Sequence, residues 1–201
     1  FLRVHSPSAE VQGHGGEGGT LPRNKENVAI TGIAPVGNYA VKISFSDGHD
    51  TGLYSWDWLQ ELSEGLIALA GAQAGPVGQA LLKGDDSGAA NVALRLAGIF
   101  PHRFYIELQR AGRVDDESHV VAAAELAVRL NLPVVATHPV QFATADDYEA
   151  HEARICISEG EILANPRRVR KFTRDQYFKS SAEMEALFAD LPSAIANTVE
   201  I

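Results

Sequence analysis

The polar side chains best spaced for chemistry lie near the middle of the second half of the chain. Asp147 and His151 are four residues apart, so a helix would bring them onto one face, and Glu152 follows directly. Such a set could ligate a metal ion or act as an acid–base pair. No further ligand converges on it from the sequence, so we favour an ordinary structural helix.

Two other motifs have both a chemical and a structural interpretation. Residues 13–18 satisfy the Gly-x-Gly-x-x-Gly pattern, but a dinucleotide fingerprint needs a strand before it and a helix after it. Neither is predicted here, so we favour a flexible loop.

The only cysteine, Cys156, lies between Ile155 and Ile157. Because reactive thiols need an exposed and electropositive setting, we expect this thiol to be buried and unreactive.

The most basic stretch, residues 167–174, contains five of the 17 lysines and arginines. Such a run could meet phosphate groups. The whole chain is acidic, however, with a formal net charge of −9, which argues against a nucleic-acid clamp and against a polybasic membrane binder. We therefore expect a solvated or partner-facing loop, with no direct nucleic-acid binding and no membrane binding.

Composition divides the 201-residue chain near residue 62. Residues 1–62 hold nine of the 18 glycines and both tryptophans, whereas residues 63–201 hold the other nine glycines over more than twice the length. The single cysteine excludes an intramolecular disulfide and a cysteine-rich zinc cage. No run approaches 18 apolar residues, so we expect no membrane segment and a cytoplasmic location.

The first region has the pattern of a small β module. Residues 28–33 and 39–45 are apolar or alternating runs, and residues 34–37 supply Pro and Gly for a turn between them. Ser55 is placed to cap a short helix that ends at Leu62.

The second region alternates strands and helices. Apolar runs predict strands at 66–69, 104–108 and 133–136. Helices are predicted at 77–82, 88–96, 115–130, 145–158, 181–189 and 193–199. Strands separated by helices indicate a parallel sheet or part of a βα barrel, and three strands are too few to close a barrel. We therefore predict an α/β chain, with a β-rich N-terminal module followed by an incomplete, barrel-derived βα domain.

Residues 2–11, 30–41 and 46–56 together resemble one known family, the gamma-butyrobetaine hydroxylase-like N-terminal domain. We therefore assign residues 1–62 to such a module, which is not an enzyme by itself. Zinc-bearing members of that family use a Cys-x-Cys-x-x-Cys run and the histidine of an Asp-Gly-His turn. The resemblance places those four positions on Ser6, Ser8, Val11 and His49. Serine hydroxyls are poor zinc ligands beside thiolates, so we expect no zinc and a His49 that is hydrogen-bonded to backbone in its turn.

The second region resembles the PHP domain at the start of bacterial DNA polymerase III alpha subunits, and we assign residues 63–201 to part of such a domain. The resemblance is carried by residues 65–71, 78–84, 100–110, 132–137, 150–154 and 181–201. In that family the domain is a βα barrel, and its metal-bearing members hold divalent ions that activate water for phosphoester hydrolysis.

The resemblance places the retained metal-ligand positions on Ala72, Ala111, Pro139 and Gln141, with His138 one residue out of register. These side chains supply no usable ligand set. We therefore expect no catalytic residue, no cofactor-binding residue and no metal ligand in this chain. The polymerase carboxylates of the family belong to a later domain.

The resemblance implies a fragment related to a replicative polymerase, whose family is a nucleotidyltransferase, but inactive alone. We expect a scaffold-type degenerate PHP region joined to the β module within residues 59–65, and Phe1 in place of Met fits a start inside a longer reading frame. The implied partners are polymerase III holoenzyme subunits such as the proofreading exonuclease. An exposed half-barrel would also favour self-association. The alternatives are an adapter that acts through residues 1–62, with the remainder a passenger, and a reading frame without a stable product.

Overall fold

The computed structural model describes residues 1–14, 17–37, 39–165 and 167–201. The chain divides into two compact units, Phe1–Leu66 and Ile67–Ile201. The first unit is built on a small antiparallel sheet and the second on parallel strands connected by helices. The predicted α/β class, with a β module followed by a βα region, is therefore confirmed.

The first unit is formed mainly by an antiparallel sheet. Its elements are α1 (Ala9–Gln12), β1 (Gly13–His14), β2 (Glu17–Gly18), β3 (Ile30–Val36), β4 (Ala40–Phe45), β5 (Leu53–Ser55) and α2 (Trp56–Glu61). The strand order of the main sheet is β3-β4-β5. Its core contains Ile43, Phe45, Tyr54 and Leu59. The Ser55 hydroxyl accepts the Trp58 N–H at 3.1 Å, so the predicted helix cap is confirmed.

The turn between β3 and β4 is tighter than predicted. Residues 34–36 were expected in the turn but pair with residues 40–42, so β3 continues to Val36. Pro35 is compatible with this position because β3 is an edge strand, where a missing N–H breaks no ladder bond. Asn38, between β3 and β4 in the sequence, lies outside the described residues.

The glycine-rich motif of residues 13–18 is not a simple loop. Gly13 pairs with Gly18 and His14 with Glu17 in a short antiparallel ladder, so the loop prediction is wrong for these four residues. The remaining two positions of the motif, 15 and 16, lie outside the described residues. Within described residues 17–29 no helix follows, so the context of a dinucleotide fingerprint is missing there.

The second unit is a layer of parallel strands covered by helices. Its elements are β6 (Ala68–Leu69), a 3₁₀ turn (Ala72–Ala74), α3 (Pro76–Leu82), α4 (Asp86–Ile99), β7 (Phe104–Gln109), α5 (Asp116–Leu130), β8 (Val134–Thr137), a second 3₁₀ turn (Ala145–Asp147), α6 (Tyr148–Glu159), α7 (Ser181–Leu187) and α8 (Pro192–Glu200). The strand order is β6-β7-β8, and both pairs are parallel.

The core of the second unit lies around the central strand, β7. Ile106 and Leu108 of this strand are buried against Val120 and Leu126 of α5, and Phe188 completes the same cluster. A strand that is buried on both faces is expected to be a continuous apolar run, which explains why β7 was predicted nearly to its ends. Among the described residues no helix is long and apolar enough to cross a membrane.

Candidate functional site

The carboxyl ends of β6, β7 and β8 lie at one edge of the sheet because the three strands are parallel. This carboxyl edge is the place where an α/β protein usually builds its site. The loops that follow the strands contain Ala72, Ala111, Pro139 and Gln141, the positions where the resemblance places metal ligands. The edge is therefore the candidate site of the second unit.

A buried carboxylate, that of Glu107, cross-links this edge. One oxygen accepts the backbone N–H of Gly71 at 2.9 Å, and the other accepts the Gln109 side-chain amide at 3.0 Å. The Thr137 hydroxyl also donates to the second oxygen. Glu107 is on β7, Gly71 follows β6 and Thr137 ends β8, so one side chain ties the ends of all three strands together.

A second buried carboxylate, that of Asp116, organises the loop between β7 and α5. One oxygen accepts the N–H groups of Ala111 and Arg113 at 2.7 and 3.0 Å. The other accepts Arg113 Nε at 3.0 Å and the Gln73 amide at 2.8 Å. Arg113 also donates to Gln109 Oε1 at 2.9 Å, so the two carboxylates belong to one network. Protein donors therefore reach all four oxygens of the two carboxylates.

The positions predicted to have lost metal ligands offer no ligand set in the structure. Ala72 and Ala111 are buried, and the Gln176 amide donates to the carbonyl of Pro139 at 3.1 Å. The Gln141 N–H donates to the Gln176 carbonyl at 2.8 Å. Across the part of the chain that the structure describes, no group of three or more His, Cys, Asp or Glu side chains could hold a metal ion.

His138, at the same edge, makes a hydrogen bond to the backbone of a neighbouring segment. Its Nε2 donates to the backbone carbonyl of Asp175 at 2.8 Å. Burial lowers the pKa of His138 below its ordinary value, despite the opposing effect of this hydrogen bond. The ring therefore links β8 to the segment around Asp175.

Among the described residues, Asp147, His151 and Glu152 do not form a metal-binding group, although Asp147 and His151 line one pocket. The Asp147 carboxylate accepts the Thr144 N–H at 2.9 Å and the Thr144 hydroxyl at 2.8 Å, which lowers its pKa and caps the turn before α6. His151 Nδ1 accepts from Arg154 at 3.0 Å, and burial lowers the pKa of the ring. Glu152 is fully buried elsewhere on the helix. These three side chains have separate structural partners.

The basic run folds back onto α6 instead of forming a free loop. Arg168, whose side chain is only 4% exposed, donates to the fully buried Glu152. Lys171 lies 2.5 Å from a Glu159 oxygen, and Arg174 pairs with Glu149. The prediction of a solvated or partner-facing loop is therefore wrong for Arg168, because acidic residues of α6 lie opposite the run. Pro166, just before it, lies outside the described residues.

The first unit contains a second polar centre around His49. Its Nδ1 donates to Glu10 at 3.1 Å, and in the neutral ring Nε2 accepts the Ser6 hydroxyl at 2.8 Å. The Ser8 N–H donates to the same hydroxyl at 3.3 Å. Val11, the remaining position of the family's zinc site, is buried. The His49 carbonyl accepts the Phe45 N–H at 2.9 Å, as expected of a turn residue bonded to backbone. Its ring instead bonds to the side chains of Ser6, before α1, and Glu10, within α1.

This arrangement has the order of a nucleophilic relay, hydroxyl to imidazole to carboxylate. Ser6 is fully buried, however, so a substrate has no access to its hydroxyl in this conformation. The relay geometry therefore supports structure, by satisfying polar groups that are removed from water.

A charged cluster adjoins this centre. Arg3 Nε and Lys25 Nζ lie 2.8 and 2.7 Å from one oxygen of Asp47, and the His49 N–H donates to the other at 3.3 Å. Lys25 first, and then Arg3, hold the pKa of Asp47 well below its ordinary range. Sequence reasoning missed these partners, although an aspartate at the start of an Asp-Gly turn commonly bonds the backbone two residues on.

Cys156 is buried in α6 and is a free thiol, as its apolar neighbours predicted.

Two known protein families match parts of this chain. Residues 1–60 match the model of the family described as gamma-butyrobetaine hydroxylase-like, N-terminal, and residues 36–111 match the PHP domain model. The resemblance of the chain to both families is confirmed.

The relatives of this chain include DNA polymerase III alpha subunits. The subunit of Pseudomonas aeruginosa is 49% identical over 159 residues, which cover 78% of this chain and 14% of the relative. The Escherichia coli K12 subunit is 48% identical over 145 residues, or 72% of this chain and 12% of the relative. The Neisseria meningitidis serogroup B subunit is 48% identical over 147 residues, covering 72% and 13%. The chain thus spans about an eighth to a seventh of the length of these relatives.

The similarity to the polymerase relatives is not confined to the second compact unit. The alignment of 159 residues is longer than residues 63–201, and the two family matches overlap at residues 36–60. The assignment of residues 1–62 and 63–201 to separate domains therefore stays a prediction. A solved protein of unknown function from Acidithiobacillus ferrooxidans is 39% identical over 30% of this chain and 57% of its own, with a TM-score of 0.24.

Proposed function

We propose that this chain is a scaffold-type, non-catalytic PHP region of a protein related to DNA polymerase III subunit alpha. The single observation that carries the proposal is the carboxyl edge of β6, β7 and β8, where seven protein hydrogen bonds occupy the carboxylates of Glu107 and Asp116. A hydrolytic metal centre needs free oxygen or nitrogen ligands and an open position for water. This edge uses the same kind of carboxylates to hold strands and loops together.

The proposal has a second support in the neighbouring positions. Ala72 and Ala111 present only methyl groups, and both are buried. His138 and the backbone of Gln141 bond to the segment at residues 175–176. A metal ion at this edge would have to displace several of these hydrogen bonds, and each bond that breaks leaves its donor without that partner.

A hydrolysis assay on the full chain tests the proposal. The chain is incubated with p-nitrophenyl phosphate and 1 mM Mn²⁺ or Zn²⁺, and the expected rate equals that of the metal alone in buffer. The matched control is Glu107→Gln, which keeps the shape of the side chain but removes its charge. Metal-dependent hydrolysis by the chain that Glu107→Gln abolishes would overturn the proposal.

The relatives support a replication context in general terms, since they are subunits of DNA polymerase III. Within that context we propose that holoenzyme subunits such as the proofreading exonuclease are partners, in the cytoplasm. Biolayer interferometry between the full chain and the purified exonuclease subunit tests this. Saturable binding supports the proposal, and no binding at the highest soluble concentration contradicts it.

Self-association through the incomplete barrel is part of the same proposal. Within the described residues β6 ends the strand order, and Ile67 just before it and Leu69 within it are 47% and 39% exposed. An unpaired edge with apolar side chains favours association between copies. Sedimentation at several concentrations tests this, because the proposal expects the mass to rise with concentration and an unchanging monomer contradicts it.

A second candidate function is an adapter that acts through residues 1–62. It is favoured by the observation that Phe1–Leu66 forms a compact unit with its own apolar core and its own buried polar centre. Chemical cross-linking of partners to the full chain separates the two candidates. Cross-links restricted to residues 1–62 support the adapter, and cross-links restricted to residues 63–201 support the replication scaffold.

A further inference from the structure

The outer side of β8 is a strand edge whose backbone groups have no strand partner within the described residues. Within the described residues β8 ends the order β6-β7-β8, so no further strand pairs with it there. The Ile106 N–H donates to the Pro133 carbonyl at 2.8 Å, so the Pro133 carbonyl faces β7. Because backbone groups alternate in direction along a strand, the carbonyls of Val134 and Ala136 face away from β7.

Helix α8 occupies this outer edge. The Asn197 side-chain amide donates to the Val134 carbonyl at 2.7 Å. The Thr198 hydroxyl lies 2.7 Å from the Ala136 carbonyl and 2.9 Å from that of Ala194 in its own helix. Two consecutive helix side chains thus reach the two outward carbonyls of the strand.

We infer that α8 acts as an edge cap that keeps β8 closed to the addition of another strand, in particular one from a second copy of this chain. An unpaired strand edge is a template for pairing, and covering it with a helix is one of the ways in which proteins prevent this. Asn197 and Thr198 supply donors where an added strand would place its N–H groups. Any strand that pairs with β8 must first displace α8.

The cap distinguishes the two edges of the sheet. β8 is covered by a helix with matched donors, whereas the side chains beside β6 remain exposed. Association of the wild-type chain is therefore directed to β6, and removal of the cap adds β8 as a second pairing edge. This inference does not rest on the proposed absence of metal chemistry.

The test compares Asn197→Ala/Thr198→Val with Ser193→Ala/Glu200→Ala in the full chain, by sedimentation equilibrium. The first variant removes both capping donors, and the control changes two exposed residues of the same helix. We expect self-association of the first variant to tighten at least about tenfold relative to wild type, with the control unchanged. Equal association of the two variants would overturn the inference.

Hydrogen exchange of the wild-type chain provides an independent measurement if the capping variant does not fold. Within the described residues the outward amides of Val134 and Ala136 have no strand partner, so we expect their protection to depend on coverage by α8. We expect these amides to exchange at least about tenfold more slowly than exposed loop amides and with the same denaturant dependence as α8. Loop-like exchange at both positions while α8 stays protected would contradict the cap.

Discussion

The polar centre of the first unit and the carboxyl edge of the second both give buried polar groups hydrogen-bond partners, but they do so differently. In the first unit, Ser6 and His49 satisfy each other, and the charged partner Glu10 is 64% exposed. In the second unit, buried carboxylates of Glu107 and Asp116 collect donors from several segments. A polar site can thus be stabilised by one reciprocal pair or by several donors gathered on a buried carboxylate, and we expect the second site to be the more costly one to disturb.

The largest effect in this comparison is expected from Glu107→Ala. The substitution leaves the Gly71 N–H, the Gln109 amide and the Thr137 hydroxyl without their shared acceptor at a buried site. We expect the free energy of unfolding of the second unit to fall by about 3 kcal/mol, measured by urea denaturation. Glu125→Ala, an exposed change on α5, is the control and should shift stability by less than about 0.5 kcal/mol. Equal losses of stability in the two variants would show that the buried Glu107 network contributes no more than an exposed glutamate.

A smaller effect is expected from Ser6→Ala in the first unit. The substitution removes the hydroxyl partner of His49, which should cost about 1–2 kcal/mol. Ser8→Ala is a matched control, because the buried Ser8 hydroxyl has no hydrogen-bond partner among the described residues, so its removal should be neutral or slightly stabilising. Thermal denaturation of both variants checks this. A greater loss for Ser8→Ala would show that the hydroxyl network has been assigned to the wrong serine.

We expect the two units to lose stability at different pH values as the solution is acidified. Burial lowers the pKa of His119 and His138 in the second unit, so the unfolded chain binds more protons there and stability is lost as pH falls below about 6.5. The pKa of Asp47 in the first unit is lowered by Lys25 and Arg3, so its contribution is lost only as pH falls below about 3.9.

Hydrogen exchange at pH 7.5, 6 and 5 measures this difference. The second unit should lose protection over this range while the antiparallel sheet of the first unit keeps it. His138→Gln should reduce the pH dependence of the second unit alone. Loss of protection in the first unit at the higher pH would contradict the assignment.

The smallest effect is expected from Lys42→Ala. Lys42 and Asp50 form an exposed pair at 3.3 Å, and such pairs contribute less than about 0.5 kcal/mol. Lys25→Ala is the companion variant, because Lys25 bonds the less exposed Asp47 at 2.7 Å and should cost more. Urea denaturation of both variants at low and high salt checks the order. The reverse order would show that the first unit depends on its surface pairs.

The sequence predicted the elements of the second unit better than the contacts that join them. β7, α5 and β8 follow from apolar runs and helical periodicity, so their bounds were predicted within about two residues. The Glu107 network was missed because its partners lie up to 36 residues away, and local patterns do not encode such pairings. A charged residue inside an otherwise apolar strand was the available signal.

In the first unit the resemblance supplied what local pattern could not. It placed Ser6 and His49 in one site, although they are 43 residues apart, and the structure brings them into contact. Glu10 was missed because it matches no ligand position of the family. The ladder between residues 13–14 and 17–18 was missed as well, since two-residue strands are too short to leave a periodic pattern.

The central claim is that the carboxyl edge of β6, β7 and β8 is closed by protein hydrogen bonds and holds no catalytic metal. Thermal unfolding of the full chain with and without 1 mM Mn²⁺ or Zn²⁺ tests it most directly. A site with a dissociation constant one hundredth of the metal concentration would stabilise the chain by about 2.7 kcal/mol. We predict no rise in melting temperature with either metal. A concentration-dependent rise that Glu107→Gln abolishes would contradict the account.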